Sequence, residues 1–397
     1  MNSKKRKVAI YTGSRAEYGL LYPIIKALAN DERFKYYLLV SGAHLDENFG
    51  NTVKEIQKDG VRIFATVKIP RKSYTLYSTT RAIGRSILGL SKILNKVKPD
   101  FFLVYGDRFE SFSAVITSTQ MNIPTVHIEG GDRTEGGSLD DFVRHAMSKL
   151  AHIHFTTNED ASERLRKMGE ENWRIFTVGL PGIDLIKKGY YASPDEIKEK
   201  YRINLINPLI IYTQHSIATE YDKTAEQVKP ALDALIKLAN EGIQVIMTFP
   251  NIDAGAIQIM KFLKQIKSDK KKNIQVHKSI GRHEYHGFLN ICGRVGRGVC
   301  AGNSSSGIKE TPAFGCPVVN IGERQKGRLR AENIIDTNYD TNEIYKAVMK
   351  CLYDEEFRKK CTHCSNPYDG GNVAEKVVEI LASIKLDLKV LQKKVTY

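Results

Sequence analysis

Through most of its 397 residues the chain alternates short apolar runs with helix-length amphipathic segments. Apolar runs bounded by Gly, Pro, Asp or Asn and rich in β-branched or aromatic residues read as strands. Apolar residues recurring every three or four positions read as one face of a helix. By these rules residues 8–12, 36–40, 101–105, 125–128, 154–157 and 175–178 are strands. Residues 17–30 are a helix with Leu20, Leu21, Ile24, Ile25 and Leu28 on one face. The series restarts with strands at 209–213, 244–249, 274–277, 295–301 and 318–321, and a helix over 224–240. Strands alternating with helices predict βαβ units and parallel sheets. Between the two series, Pro181, Gly182, Gly189, Pro194 and Pro208 mark a junction. The reading is an α/β chain of two doubly wound domains, residues 1–185 and 186–371, with a last helix running from residue 372 to about 394. Ligands of such sheets bind beyond the carboxyl ends of the strands, which predicts a site in a cleft between two facing domains.

Composition narrows the function classes. Hydrophobic content of 42% and charged content of 26% are ordinary for a soluble domain. No apolar stretch approaches a membrane span. The apolar segment after the basic first residues is too short for a signal peptide, so a cytoplasmic location is expected and no membrane partner. All six cysteines lie between Cys292 and Cys364, which is not a disulfide framework. Cys361 and Cys364 make a lone CxxC without the second pair that zinc wants, so no metal is expected. The net charge of +15 raises the question of nucleic acid. The basic residues are spread out, however, with short clusters only near residues 4–7, 270–272 and 393–394 and no aromatic interleaving. A basic surface also gathers small anions, and no nucleic-acid partner is expected.

The chemistry lies at the strand ends. Asn303-Ser304-Ser305-Ser306-Gly307-Ile308-Lys309-Glu310 follows the strand at 295–301 and opens what reads as a helix, with Pro312 near its start and a stop at Gly315. Small hydroxyl residues at a helix N-terminus make an anion pocket, because the first N–H groups lack partners there. Glu310, one turn in, can accept two hydrogen bonds from a ribose diol. The plain alternative is a serine-capped helix. After the first strand comes a Gly13-Ser14-Arg15 turn, which is not a dinucleotide fingerprint. Asp107, Glu129 and the pair Asp140-Asp141 are acidic positions at successive strand or loop ends. Converging carboxylates raise one another's pKa, which suits acid–base work on a sugar. His215 ends a strand of the second half and can move a proton near neutrality. Arg324 and Arg328 follow the last strand, where planar donors suit a diphosphate.

These stretches together resemble the hydrolysing UDP-N-acetylglucosamine 2-epimerase family. The resemblance runs in order from residues 11–19 through Gly106-Asp107-Arg108, residues 127–131, Asp140-Asp141 with Arg144-His145, residues 250–255 and residues 302–307 with Glu310, down to Asn366-Pro367-Tyr368. It implies two Rossmann-like domains in a GT-B-like arrangement, with the last helix packing back on the first domain. It implies that Ser304, Ser305 and Glu310 hold UDP, with Arg15 and Arg324 nearby, and that Arg144, Asn251 and His283 also bind substrate. It assigns catalysis to Asp107, Glu129, Asp140 and His215. A base removes the C2 proton while UDP leaves C1, giving a 2-acetamidoglycal. Water then adds at C1 and C2 is reprotonated on the other face. No cofactor is required, and a homo-oligomer, dimer or tetramer, is expected. The loop between Glu129 and Asp140 is longer than in enzymes that make N-acetylmannosamine. That leaves Asp140 or Asp141 as the third carboxylate, and UDP-N-acetylglucosamine or UDP-2,4-diacetamido-2,4,6-trideoxyglucose as the substrate. A GT-B glycosyltransferase and a non-hydrolysing epimerase remain as other enzyme readings.

Overall fold

The structure is a computed structural model that describes residues 5–47, 50–70, 73, 75–135, 139–251, 253–269 and 272–397. Of the stretches singled out above, Ile252, residues 136–138 and residues 270–271 lie outside these. The chain divides into two compact units. The first takes Met1–Arg133, Leu139–Asp184 and Tyr368–Tyr397; the second takes Thr134–Ser138 and Leu185–Pro367. Among the described residues no helix is long and apolar enough to cross a membrane.

In the first unit the strands are β1 (Arg6–Thr12), β2 (Phe34–Ser41), β3 (Ile63–Val67), β4 (Phe101–Tyr105), β5 (Thr125–Ile128), β6 (Ile153–Thr156) and β7 (Ile175–Thr177). They form a parallel sheet in the order β3-β2-β1-β4-β5-β6-β7. Helices cover both faces of such a sheet, so its central strands bury every residue and read as unbroken apolar runs. β4 and β5 are buried throughout. β3 was not visible in the pattern. It is an edge strand whose first four residues alternate between partial burial and exposure, although four of its five residues are apolar.

The second unit carries β8 (Leu209–Thr213), β9 (Gln244–Thr248), β10 (Ile274–His277), β11 (Gly298–Gly302), β12 (Val318–Ile321) and β13 (Ile334–Thr337), in the parallel order β10-β9-β8-β11-β12-β13. β13 is again an edge and was not predicted. β11 begins later than the expected residue 295. The helix Gly281–Asn290 continues through a wide turn, Ile291–Val295, and Arg358 ties down the end of that turn. Its Nη2 donates to the carbonyls of Cys292 (3.3 Å) and Gly296 (3.1 Å).

The last helix also differs from expectation. It spans Val373–Ser383, breaks, and resumes only as Leu388–Leu391 behind an Asp387 cap. Two arginines of the first unit hold the tail by its carbonyls, Arg6 at the break and Arg174 beyond it. Arg6 donates to Leu381 and, at 2.7 Å, to Ile384. Arg174, fully buried, donates to the carbonyls of Lys389 (2.8 Å), Val390 (2.7 Å) and Gln392 (3.1 Å), and to Glu171 (2.6 Å). Lys393 adds an ion pair to buried Glu170 at 2.6 Å. Removing a buried guanidinium strands its acceptors. Arg174→Ala is therefore expected to lower stability by about 3 kcal/mol, read as a fall in the urea midpoint. An unchanged midpoint would show that the tail is not held this way.

Candidate active site

β4 and β5 pair with Tyr105 opposite Ile128, so Asp107 and Glu129 both lie just past the carboxyl ends of adjacent strands. His127 fixes the first of these turns. Its Nε2 lies 2.7 Å from the Gly106 carbonyl and its Nδ1 3.0 Å from the Ser148 hydroxyl. A carbonyl only accepts, so Nε2 carries the proton and Nδ1 accepts from Ser148. Burial pushes the His127 pKa down to about 3, and the ring stays neutral. Glu129 stands at φ +70, a region that side chains rarely adopt. The conformation is held by its N–H on the Phe155 carbonyl (2.9 Å) and by the Tyr105 hydroxyl, which donates to its carboxylate.

The helix Leu139–Leu150 supplies Arg144, whose side chain is wholly buried. Its guanidinium pairs with Asp107, with Asp141 at 3.3 Å and with the Asp132 carbonyl at 3.0 Å. The arginine expected to bind substrate thus links two carboxylates and fixes where they sit. His145 lies 3.7 Å from Asp141; burial is the largest cause lowering its pKa, opposed by Asp141. Asp140 sits on the same first turn, partly exposed.

The turn after β1 is built around a buried carboxylate. Ser14 caps the helix Arg15–Asn30, and Glu17 reaches back to the N–H groups of Gly13 (2.7 Å) and Ser14 (3.0 Å), a capping box. Ser111 donates to the other Glu17 oxygen at 2.9 Å. Glu110 lies beside it, also buried and paired with Arg108 at 3.2 Å. A Cβ on Gly13 would come within 2.7 Å of the Glu110 Cβ, so only glycine fits. Arg15 holds the first helical position, half-buried.

In the second unit Gly302 of β11 pairs with Thr213 of β8. Gly302 has φ +119, and a Cβ there would lie 2.0 Å from the Thr213 carbonyl oxygen. The next residue, Asn303, accepts from the His215 N–H (2.7 Å) and donates to the His215 carbonyl (2.9 Å). The His215 Nδ1 accepts from the Asn251 N–H at 3.0 Å. Arg324 (3.2 Å) and Gln325 (2.9 Å) donate to the Asn303 carbonyl. The helix predicted to run to Gly315 is only Ser305–Lys309. A 3-10 turn, Thr311–Phe314, follows and ends at Gly315 with φ +60. Pro312 lacks the N–H that would continue the α-helix. Five residues sum few peptide dipoles, so any attraction for an anion comes from the first N–H groups themselves. Ser304 stands at the N-cap without capping its own helix; its hydroxyl lies 3.0 Å from that of Ser306. Ser305 is partly exposed. Glu310 is buried, with a carboxylate oxygen 3.2 Å from the His286 Nε2, and the Tyr285 hydroxyl lies 2.7 Å from Ser306. His283, predicted to bind substrate, is exposed on the same helix as Tyr285 and His286.

The sequence model for the family described as UDP-N-acetylglucosamine 2-epimerase matches residues 26–382. The chain belongs to that family. The match takes in every candidate site residue except Arg15. Among epimerase relatives, the UDP-N,N'-diacetylbacillosamine 2-epimerase (hydrolyzing) of Legionella pneumophila is 33% identical, covering 98% of each chain. The GDP/UDP-N,N'-diacetylbacillosamine 2-epimerase (hydrolyzing) of Campylobacter jejuni is 32% identical over 96% of this chain and 97% of its own. The fold is that of the Neisseria meningitidis UDP-GlcNAc 2-epimerase, whose crystal structure bound to UDP-GlcNAc superposes with a TM-score of 0.78 at 19% identity, covering 95% of this chain and 100% of that one. The sequence reading gave no role to Glu17, Tyr285, His286 or Asn303. The capping-box spacing of Ser14 and Glu17 was the one available signal for any of them.

Burial first, and the charge of Glu110 second, push the Glu17 pKa up to about 7 from the ordinary 4.5, against the pull of Arg108. The folded chain therefore keeps a proton that the unfolded chain releases near 4.5. Stability from this source is full below that value and is lost as pH rises to about 7. In Glu17→Gln this part of the slope is expected to disappear from urea midpoints taken between about pH 4 and about pH 8. A slope equal to that of the unaltered protein would show that Glu17 titrates normally.

Proposed function

We propose that this chain is a hydrolysing 2-epimerase that converts a UDP-linked 2-acetamido sugar and water to UDP and a free manno-configured sugar. The observation that carries this reading is the match along nearly the whole chain to two relatives whose names specify the hydrolysing reaction. A carboxylate removes the C2 proton as the C1–O bond to UDP breaks, giving the 2-acetamidoglycal. Water then adds at C1 and C2 takes a proton on the opposite face. The steps are proton transfers and C–O cleavage, so no electron carrier is needed.

Asp107 suits the base, because pairing with buried Arg144 holds its carboxylate in one place. Glu129 and either Asp140 or Asp141 are the remaining acids. His215, whose Nδ1 is taken by a backbone N–H, offers its Nε2 proton to developing charge. Ser304, Ser305 and Glu310 are assigned to UDP, with Arg15, Asn251, His283 and Arg324 as further substrate contacts and Arg144 positioning Asp107. For the sugar we favour UDP-N,N'-diacetylbacillosamine, which is UDP-2,4-diacetamido-2,4,6-trideoxyglucose, on the names of the same two relatives. UDP-N-acetylglucosamine is the second reading, favoured by the family description.

NMR of the products in heavy water, with each UDP-sugar supplied alone, tests the proposal. The expected result is UDP and a free manno sugar carrying deuterium at C2. A UDP-linked manno product would assign the non-hydrolysing reaction instead, and no turnover without an acceptor would favour a transferase. Asp107→Asn is expected to lower turnover roughly a hundredfold or more, with UDP affinity by calorimetry little changed. Full activity in that variant would remove Asp107 from the chemistry. Ser304→Ala is expected to weaken UDP binding about threefold to tenfold, and an unchanged affinity would contradict the assignment.

A further inference from the structure

We propose that Asn303 is a positioning residue that sets His215 for reaction, by clamping both main-chain edges of that histidine with one side-chain amide. The inference rests on the reading of His215 as a reacting group.

β8 and β11 form a parallel ladder whose last paired residues are Thr213 and Gly302. Beyond them the backbone of β11 turns away, since Gly302 lies at φ +119. The Asn303 side chain takes over at that point. Its Oδ1 accepts from the His215 N–H and its Nδ2 donates to the His215 carbonyl, so the amide acts as one more rung of the sheet. The Asn303 N–H still reaches the Thr213 carbonyl at 3.2 Å. Asn303 is 1% exposed, and its own carbonyl is fixed by Arg324 and Gln325 from the segment after β12. Asn251, following β9, takes the Nδ1 of the His215 ring. Groups from beyond β8, β9, β11 and β12 thus determine where the ring sits and which nitrogen bears its proton. Only a side chain with a donor and an acceptor side by side can make both contacts. Aspartate has the same shape but sets oxygen against the His215 carbonyl.

The test uses the full chain with Asn303→Asp, and Asn303→Ala should that variant fail to fold. Long-range proton–nitrogen spectra of the histidines, which need no turnover, should show His215 protonated at Nε2 in the unaltered protein and a changed tautomer ratio or titration in the variant. Turnover on the active UDP-sugar is expected to fall about tenfold or more, with UDP affinity within about threefold. Placed in a His215→Ala background, the same substitution should cost less than about twofold more, because a residue acting through His215 has nothing left to position. Unchanged histidine spectra, unchanged turnover, or a full additional loss in the His215→Ala background would each overturn the proposal. If the unaltered protein turns over neither UDP-sugar, the functional reading falls, and the spectra alone still decide whether Asn303 controls His215.

Discussion

In a parallel sheet every strand must finish at the same edge, and register decides which residues finish as neighbours. This constraint governs both units. Tyr105 opposite Ile128 brings Asp107 and Glu129 to the ends of adjacent strands, and Thr213 opposite Gly302 sets His215 beside Asn303. A slip of one residue in either pair would exchange these side chains for their neighbours on the other face. Backbone conformations that are unfavourable elsewhere gather at this edge. Gly106, Glu129 and Gly302 all have positive φ immediately before or at a candidate residue. For Glu129, a non-glycine, that costs on the order of 1 kcal/mol, offset by its bonds to Phe155 and Tyr105.

Charge is organised by the same edge. Besides Arg174, two guanidiniums of the first unit are almost completely buried, Arg144 between Asp107 and Asp141 and Arg108 against Glu110. A buried ion pair contributes little net stability, because desolvation offsets most of the attraction. Its effect is geometric. Each arginine fixes the direction of a carboxylate, and at Glu110 the fixed charge stands close enough to Glu17 to raise its pKa. The second unit adds hydrogen bonds between uncharged groups, Asn303 to His215 and Tyr285 to Ser306, beside the contact of His286 with the Glu310 carboxylate.

The centre of the fold was readable because burial on both faces writes itself as an apolar run. The strands over 101–105, 125–128, 209–213, 274–277 and 318–321 have the predicted bounds, and so does the helix over 224–240. Among the edge strands, β10 over 274–277 was legible, while β3 and β13, with partly exposed residues, were not, even though β3 is apolar at Ile63, Phe64, Ala65 and Val67. The break in the last helix was invisible because the residue that takes its carbonyls there, Arg6, lies hundreds of positions away in sequence. Among candidate residues, acids at strand ends and the serine run were legible as residue types and positions along the chain. The links between them were not. That Arg144 joins Asp107 to Asp141, or that His286 rather than His283 meets Glu310, depends on rotamers and helix phase that composition does not record.

Residues 368–397 complete the unit begun by residues 5–133, while the second unit spans a nearly continuous stretch from Leu185 to Pro367. During vectorial synthesis the later-encoded unit can therefore close while the earlier one still lacks its final helix. Until the ribosome has delivered those last segments, Arg6 lacks the carbonyls of Leu381 and Ile384, and Arg174 has that of His152 but not those of Lys389, Val390 and Gln392. Maturation of the nascent polypeptide thus runs partly backwards, with the amino-terminal half waiting on the carboxyl-terminal tail.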